Sequence, residues 1–405
     1  MSKLTELLDE LCPDGVEYRP FSEVIERLRT GLNPRKNFIL NSPGSKNYYI
    51  TVRELGGFNI ETTEKTDLVN DAGLQLIQNR SGLRTGDVLF SGTGTIGRTA
   101  LVSTEPKDWN IKEGVYALTP DHSILDSRFL VYALNSSRFQ NAVHARAAGG
   151  TVKSISMKNL SALTLPVPPL EVQQEIARVL DAFTDLEQSL VWELELRKKQ
   201  YGFHRDELLS FTANGGELCS DRVEYRLLSE LGKRNKGMVI TASRMKELHQ
   251  EGGEVRIFAG GYTVADVDRD DLPDGAVIDK PSIIVKSRGN IGFEYHTKPF
   301  THKNELWSYT LDDPDVDQKF IFYYLQSRVD YFQLKAKSGK LPQIGVRDTD
   351  HFSVPTPPLD VQKKIVAKLD TFQALIDSIK QEITLRRTQY EFHRDELLSF
   401  ASKED

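Results

Sequence analysis

FHRDELLSF stands at residues 203–211 and again at 392–400, 189 positions later. Internal repeats come before any local reading, because a missed repeat mis-assigns the whole fold. Extended backwards without a gap, the match pairs 165–211 with 354–400, and 26 of those 47 positions are identical. They include Pro166/Pro355, Pro168/Pro357, Pro169/Pro358, Gln173/Gln362, Asp181/Asp370, Phe183/Phe372 and Tyr201/Tyr390. A second copied block opens each half, LCPDGVEYR at 11–19 and LCSDRVEYR at 218–226, 207 positions apart. Between the blocks the similarity thins to scattered matches such as Gly94/Gly289 and Gly150/Gly339. The chain is therefore written variable–constant–variable–constant, with the first variable region 18 residues longer than the second.

The constant segments read as long helices. After Pro168-Pro169, apolar positions run Ile176, Val179, Phe183, Leu186, Leu190, Leu194, Tyr201 and Leu208; the second copy gives Ile365, Leu369, Phe372, Leu375, Ile379, Ile383, Tyr390 and Leu397. Spacings of three and four are the seam of a coiled coil. Proline is tolerated at a helix start and not deeper, so the Pro-Pro pairs mark the starts. Only Gly202 is expected to interrupt the first helix. Two near-identical helices of this length bury each other's seams most simply as an antiparallel pair about a pseudo-twofold, which makes them a spacer. The variable regions carry short β-like runs at 48–52, 87–91, 115–119, 282–287 and 306–311, with helices expected near 127–145 and 318–334.

With 405 residues, 27% charged and 39% apolar, the chain has the composition of a folded two- or three-domain protein. No apolar run reaches the roughly 18–20 residues of a membrane helix, and the acidic start MSKLTELLDE is no signal peptide. Cys12 and Cys219 sit at equivalent repeat positions and cannot build a disulfide framework, so the cytoplasm is the expected compartment. The net charge of −6 is unevenly spread. Residues 127–160 hold Arg128, Arg138, Arg146, Lys153 and Lys158 without one acid, and 318–347 hold six bases against Asp330 alone. Residues 170–211, in contrast, carry nine acids against five bases. Two matching basic strips suit a polyanionic ligand that is itself pseudo-symmetric, and double-stranded DNA is one.

Catalytic patterns fail one by one. SGTGTIGRT at 91–99 is one residue from a phosphate-binding loop, but arginine replaces the lysine, and the second copy, SRGNIGFEY at 287–295, loses the ending altogether. A glycine turn presenting Thr93, Thr95 and Arg98 is the better reading. Pro273-Asp274 with Asp279-Lys280 lacks the spacing of an acid–lysine nuclease site, and neither Pro-Pro pair carries the amide and aromatic of an adenine-methyltransferase loop. His204 and His393, inside the repeated helix ends, are expected to pack rather than bind metal. No catalytic residue and no metal site is expected; the chain reads as a binding protein.

The duplicated PPLEVQQEI…FHRDELLSF and PPLDVQKKI…FHRDELLSF, the LCPDGVEYR block and the GTGTIGR turn resemble the specificity subunit of type I restriction–modification enzymes. The resemblance covers nearly the whole chain. It implies an α+β protein: two globular α/β target-recognition domains separated by a pair of long antiparallel coiled-coil helices. On this reading 1–165 and 212–354 are the recognition domains, and 166–211 and 355–405 the spacer helices. Each domain would read half of a bipartite double-stranded DNA site. The helices would set the unread gap and dock two methyltransferase subunits, with restriction subunits joining that core. S-adenosylmethionine would then belong to the methyltransferase, ATP and magnesium to the restriction subunit, and no cofactor to this chain. The N-terminal stretch would complete a circular pattern by packing near the last helix.

Base-reading residues differ between such subunits, so candidates come from chemistry: Arg and Lys pair with guanine, Asn and Gln with adenine. The candidates are Thr93, Thr95, Arg98, Arg146, Lys153 and Lys158 in the first domain, and Arg288, Asn290, Lys337, Lys340, Gln343 and Arg347 in the second. Helix-pair packing is expected from Ile176, Phe183, Leu190, Leu194 and Tyr201 with Ile365, Phe372, Ile379, Ile383 and Tyr390. The alternative is a coiled-coil protein-interaction scaffold that reads no DNA.

Overall fold

The computed structural model describes residues 3–150, 152–212, 215–216, 223–336 and 341–403. Contacts divide the chain into two compact units, Met1–Val191 with Gln381–Asp405, and Trp192–Lys380. The divisions fall inside the long helices, since each half-helix is grouped with the globule it packs on.

In the first unit a four-stranded antiparallel sheet runs in the order Ile25–Thr30, Val115–Pro120, Val88–Ser91, Thr99–Leu101. Its central strand Val88–Ser91 is buried on both faces, and the alternation of a strand sorts its side chains. Val88 and Phe90 enter a core with Leu118, Phe129 and Leu130, whereas Leu89 points to a second core with Ile50, Ile111 and Ala117. That second core lies under a three-stranded sheet, Leu68–Val69, Asn47–Ile50, Trp109–Ile111, whose last pair is parallel. The second unit repeats both sheets: Gly232–Lys236, Trp307–Leu311, Ser282–Lys286, Gly292–His296, and Val264–Val267, Val255–Phe258, Phe300–His302, again with one parallel pair. Regions with little sequence in common thus share one topology.

The helices expected near 127–145 and 318–334 are each two helices. Ser136 adopts an extended backbone (φ −64°, ψ 146°), ends Ser127–Asn135 and caps Ser137–Arg146 by accepting from the Phe139 amide. In the second unit the break falls at Arg328, between Gln318–Ser327 and Val329–Lys335.

The long helices, Leu170–Leu208 and Leu359–Leu397, have 39 residues each, about 58 Å of rise. Gly202 does not interrupt the first: one glycine costs about 1 kcal/mol, too little to break so long a helix. The apolar seam is shared between two partners. In the first unit Val172, Ile176, Ala177 and Leu180 enter the globular core with Phe129 and Leu130; in the second, Val361, Ile365 and Leu369 do the same with Phe320 and Ile321. Further along, helix meets helix. Phe183 packs on His393 (5.4 Å between centroids) and Glu187 accepts from Arg387 Nε (2.8 Å), so one number rises as the other falls and the segments are antiparallel. In the second unit His204 stacks on Phe372 at 5.2 Å, the same pair carried over by the repeat. Ile379 and Ile383 are buried, while Leu190, Leu194, Tyr201 and Tyr390 are half-buried. Leu186 and Leu375, read as seam positions, are instead exposed, because a 3.6-residue turn drifts out of a 3.5-residue seam.

Polar residues that recur in both copies of the repeat fasten each helix to its globule. Gln173, fully buried, accepts from the Asp126 amide and donates to the Ile124 and Pro168 carbonyls; Gln362 makes the same three bonds to Asp317, Asp315 and Pro357. Asp181 holds Tyr132 and Arg128, and Asp370 holds Tyr323 and Lys319. The two blocks at 11–19 and 218–226 also act alike. Tyr225 Oη donates to the Phe211 carbonyl within one continuous stretch of chain. Tyr18 Oη donates to the Phe400 carbonyl 382 positions away, and the Val16 amide to Ala401. The N-terminal helix Lys3–Leu11 packs Leu4 onto the core that holds Leu398, as the circular pattern requires.

Candidate nucleic-acid interface

The glycine turn joins two antiparallel strands, Val88–Ser91 and Thr99–Leu101. No helix follows it, so it offers none of the helix N-terminal amides on which a phosphate-binding loop depends. The buried Ser91 fixes its shape: Oγ donates to the Thr95 carbonyl (2.7 Å) and accepts from the Arg98 amide (2.8 Å). Thr93, Thr95 and Arg98 are left exposed. Gly97 has φ +93°, and a Cβ there would meet the Gln140 amide, which itself donates to the Gly97 carbonyl. Gly97→Ala therefore combines backbone strain with a displaced side chain. Urea unfolding should show a loss of about 2 kcal/mol, and a change under 0.5 kcal/mol would contradict this geometry.

A second loop docks on the turn. The Gly94 amide donates to the Lys153 carbonyl, the Ile155 amide to the Gly92 carbonyl, and Tyr116 Oη, its phenol pushed up by burial, to the Ile155 carbonyl. The second domain repeats the two backbone links, the Gly289 amide donating to Pro342 and the Ile344 amide to Ser287, and the backbones of Arg288 and Gln343 pair as those of Thr93 and Ser154 do. Thr93, Thr95, Arg98 and Lys153 thus come together in one domain, Arg288, Asn290 and Gln343 in the other. Lys158 and Arg347 are exposed at matching places on the short helices Met157–Ser161 and Val346–Asp350. Arg146 belongs elsewhere: its Nη1 donates to the Ala162 carbonyl, and it lines a cleft with Tyr18, Arg138 and Leu398. Lys337 and Lys340 lie outside the described residues.

Charge pairing separates two kinds of basic residue. Arg128 and Lys319 are engaged by Asp181 and Asp370. Among the described residues, Arg98, Lys153, Lys158, Arg288 and Arg347 make no ion pair with an acid of the chain. Three residues beside the turns were not reached from the sequence. Arg53 and Lys112 line a cleft of about 360 Å³ together with Thr93. Tyr262 accepts from Asn290 Nδ2 at 2.9 Å. Each lies in a connection that leaves a strand of the small sheet, well separated along the chain from its neighbour at the turn, so no local pattern announces it.

A family described as the type I restriction modification DNA specificity domain matches residues 13–196 and 221–385. The chain belongs to this family. It is 31% identical over 292 residues to the type I restriction enzyme EcoR124I/EcoR124II specificity subunit of Escherichia coli, covering 65% of this chain and 70% of that one. It is 24% identical over 396 residues to the putative type I restriction enzyme MjaX specificity subunit of Methanocaldococcus jannaschii, covering 91% and 89%. The crystal structure of a type I restriction–modification system S subunit from M. genitalium shares the fold, with a TM-score of 0.56 at 18% identity over 95% of this chain and 96% of that one. Each family match spans one globular region and the greater part of the long helix that follows it. A specificity chain with two such domains fits a bipartite DNA target.

Proposed function

We propose that this chain is the non-catalytic subunit that gives a type I restriction–modification complex its DNA sequence specificity. Each domain reads one half of a bipartite double-stranded site through the turn at 92–98 or 287–291 and the loop docked on it. One observation carries the reading: two domains of different sequence present unpaired cations on the same turn. Exposed cations without protein acids are available to phosphates and to guanine edges. A scaffold that reads no DNA would leave both sets without a role.

The long helices set the unread gap and dock two methyltransferase subunits, which carry S-adenosylmethionine and methylate adenine N6. The target adenine is flipped into the methyltransferase and not into this chain. Restriction subunits, with ATP and magnesium, complete the complex in the cytoplasm. The test is a methylome: the chain is expressed with its neighbouring methyltransferase in a host that lacks adenine methylation. A split motif methylated only when this chain is present is the expected result. Arg98→Ala and Arg288→Ala should each weaken binding of the assembled complex to that motif about tenfold, within the range of one bidentate base contact. Each should relax a different half of the motif. Assembly without any new motif would return weight to the scaffold.

A further inference from the structure

Among the described aromatic side chains of the second domain, one stands far more exposed than Tyr225 (42%) and Tyr331 (40%). Tyr262, at the tip of the hairpin between Val255–Phe258 and Val264–Val267, is 82% exposed. The hairpin tip is built and closed: the Ala259 amide donates to the Thr263 carbonyl, Gly261 has φ +69°, and the Gly260 amide donates to Glu305 Oε1 at 3.0 Å. The ring itself is held. Asn290 Nδ2 donates to its hydroxyl at 2.9 Å, and Lys286 Nζ lies 5.8 Å from the ring centroid. Asn290 is on the turn that also carries Arg288, whose backbone pairs with that of Gln343. The domain therefore orders an apolar ring against solvent, next to an amide and a cation suited to base edges. A ring already held in place meets a ligand without a further ordering cost.

We infer that Tyr262 is a specificity-determining residue of the second domain, its ring packing against a thymine methyl in the major groove. This rests on the DNA-reading function proposed above. Thymine alone among the bases offers an apolar group in that groove, and aromatic or small apolar side chains are its usual contacts. Asn290 and Lys286 position the ring, and Arg288 and Gln343 face neighbouring bases. In the first domain the corresponding connection, 51–67, holds one aromatic, Phe58, which packs on Tyr132 at 4.7 Å between centroids, so the contact belongs to one half-site only.

The test uses the complex of the full chain with its methyltransferase and the split motif found in the methylome. Duplexes carry uracil in place of each thymine of that motif in turn, which removes only the methyl group. With the wild-type chain, one thymine, in one half of the motif, should weaken binding about fourfold when replaced, the worth of one buried methyl. Tyr262→Ala should bind the thymine and uracil duplexes equally. Tyr262→Phe, which keeps the ring and loses the Asn290 bond, should retain the discrimination. Equal binding of all uracil duplexes by the wild type, or unchanged discrimination in Tyr262→Ala, overturns the inference while leaving DNA reading intact. A complex that methylates no split motif overturns the DNA-reading proposal itself. A misfolded Tyr262→Ala would be evident from lost assembly with the methyltransferase, and Tyr262→Lys, equally exposed, then supplies the ring-free comparison.

Discussion

Gln362→Ala should lower the unfolding free energy by about 3 kcal/mol, and Gln173→Ala by a similar amount. Both side chains are fully buried, and each satisfies three backbone groups. The Gln362 carbonyl oxygen takes the Asp317 amide at 2.8 Å, while its amide nitrogen donates to Pro357 at 2.7 Å and Asp315 at 2.9 Å. Alanine leaves those groups without partners and opens a cavity, and each orphaned buried group costs roughly 1–3 kcal/mol unless water reaches it. Asp317 is also the residue whose carboxylate caps Gln318–Ser327, so the bond fixes where that helix starts relative to the long one. Gln362→Glu is the sharper variant, since a carboxylate cannot donate to two carbonyls and would be buried with its charge. Urea unfolding of the full chain measures both. A loss under 1 kcal/mol in either alanine variant would mean that water replaces the side chain and that these bonds do not hold helix to globule.

Acid should weaken the second unit before the first. His302 is fully buried on the strand Phe300–His302, with Ser308 Oγ at 3.2 Å and Phe300 beside it. Burial pushes its pKa down from 6.5 to about 4, and burial moves His296, which packs on Phe258 and Phe300, in the same direction. A histidine depressed on folding binds its proton in the unfolded chain first. The stability it preserves is complete above pH 6.5, falls as pH drops from there to about 4, and is fully lost below. From this residue alone the loss is about 2 kcal/mol at pH 5 and about 3 kcal/mol once titration is complete. In the first unit the matching parallel pair ends on Ile111, which does not titrate. Unfolding curves at pH 7.5 and 5 should show the difference, and His302→Asn should flatten it. An unchanged pH dependence in that variant would place the acid sensitivity elsewhere.

The sequence by itself determined what repeats. Identity at fixed offsets set the order of globules and helices, the Pro-Pro pairs set where the helices begin, and apolar periods of two and of three-to-four set which segments are strands and which are helices. These are local signals: alternation along a strand and stripes along a helix are written in neighbouring residues. The exposed Thr93, Thr95 and Arg98 of the glycine turn were legible for the same reason. The tertiary structure alone decided what distant residues do together. It showed that the helix seam is shared, with Ile176 and Ile365 in the globular cores and Phe183 and Phe372 on the opposite helix. It separated the basic residues held by Asp181 and Asp370 from those left free beside the turns, and it moved Arg146 to another cleft. Arg53, Lys112 and Tyr262 reach the turns only because a separate small sheet folds back beside them. Such pairings depend on which strand lies next to which, and no period in the sequence encodes that.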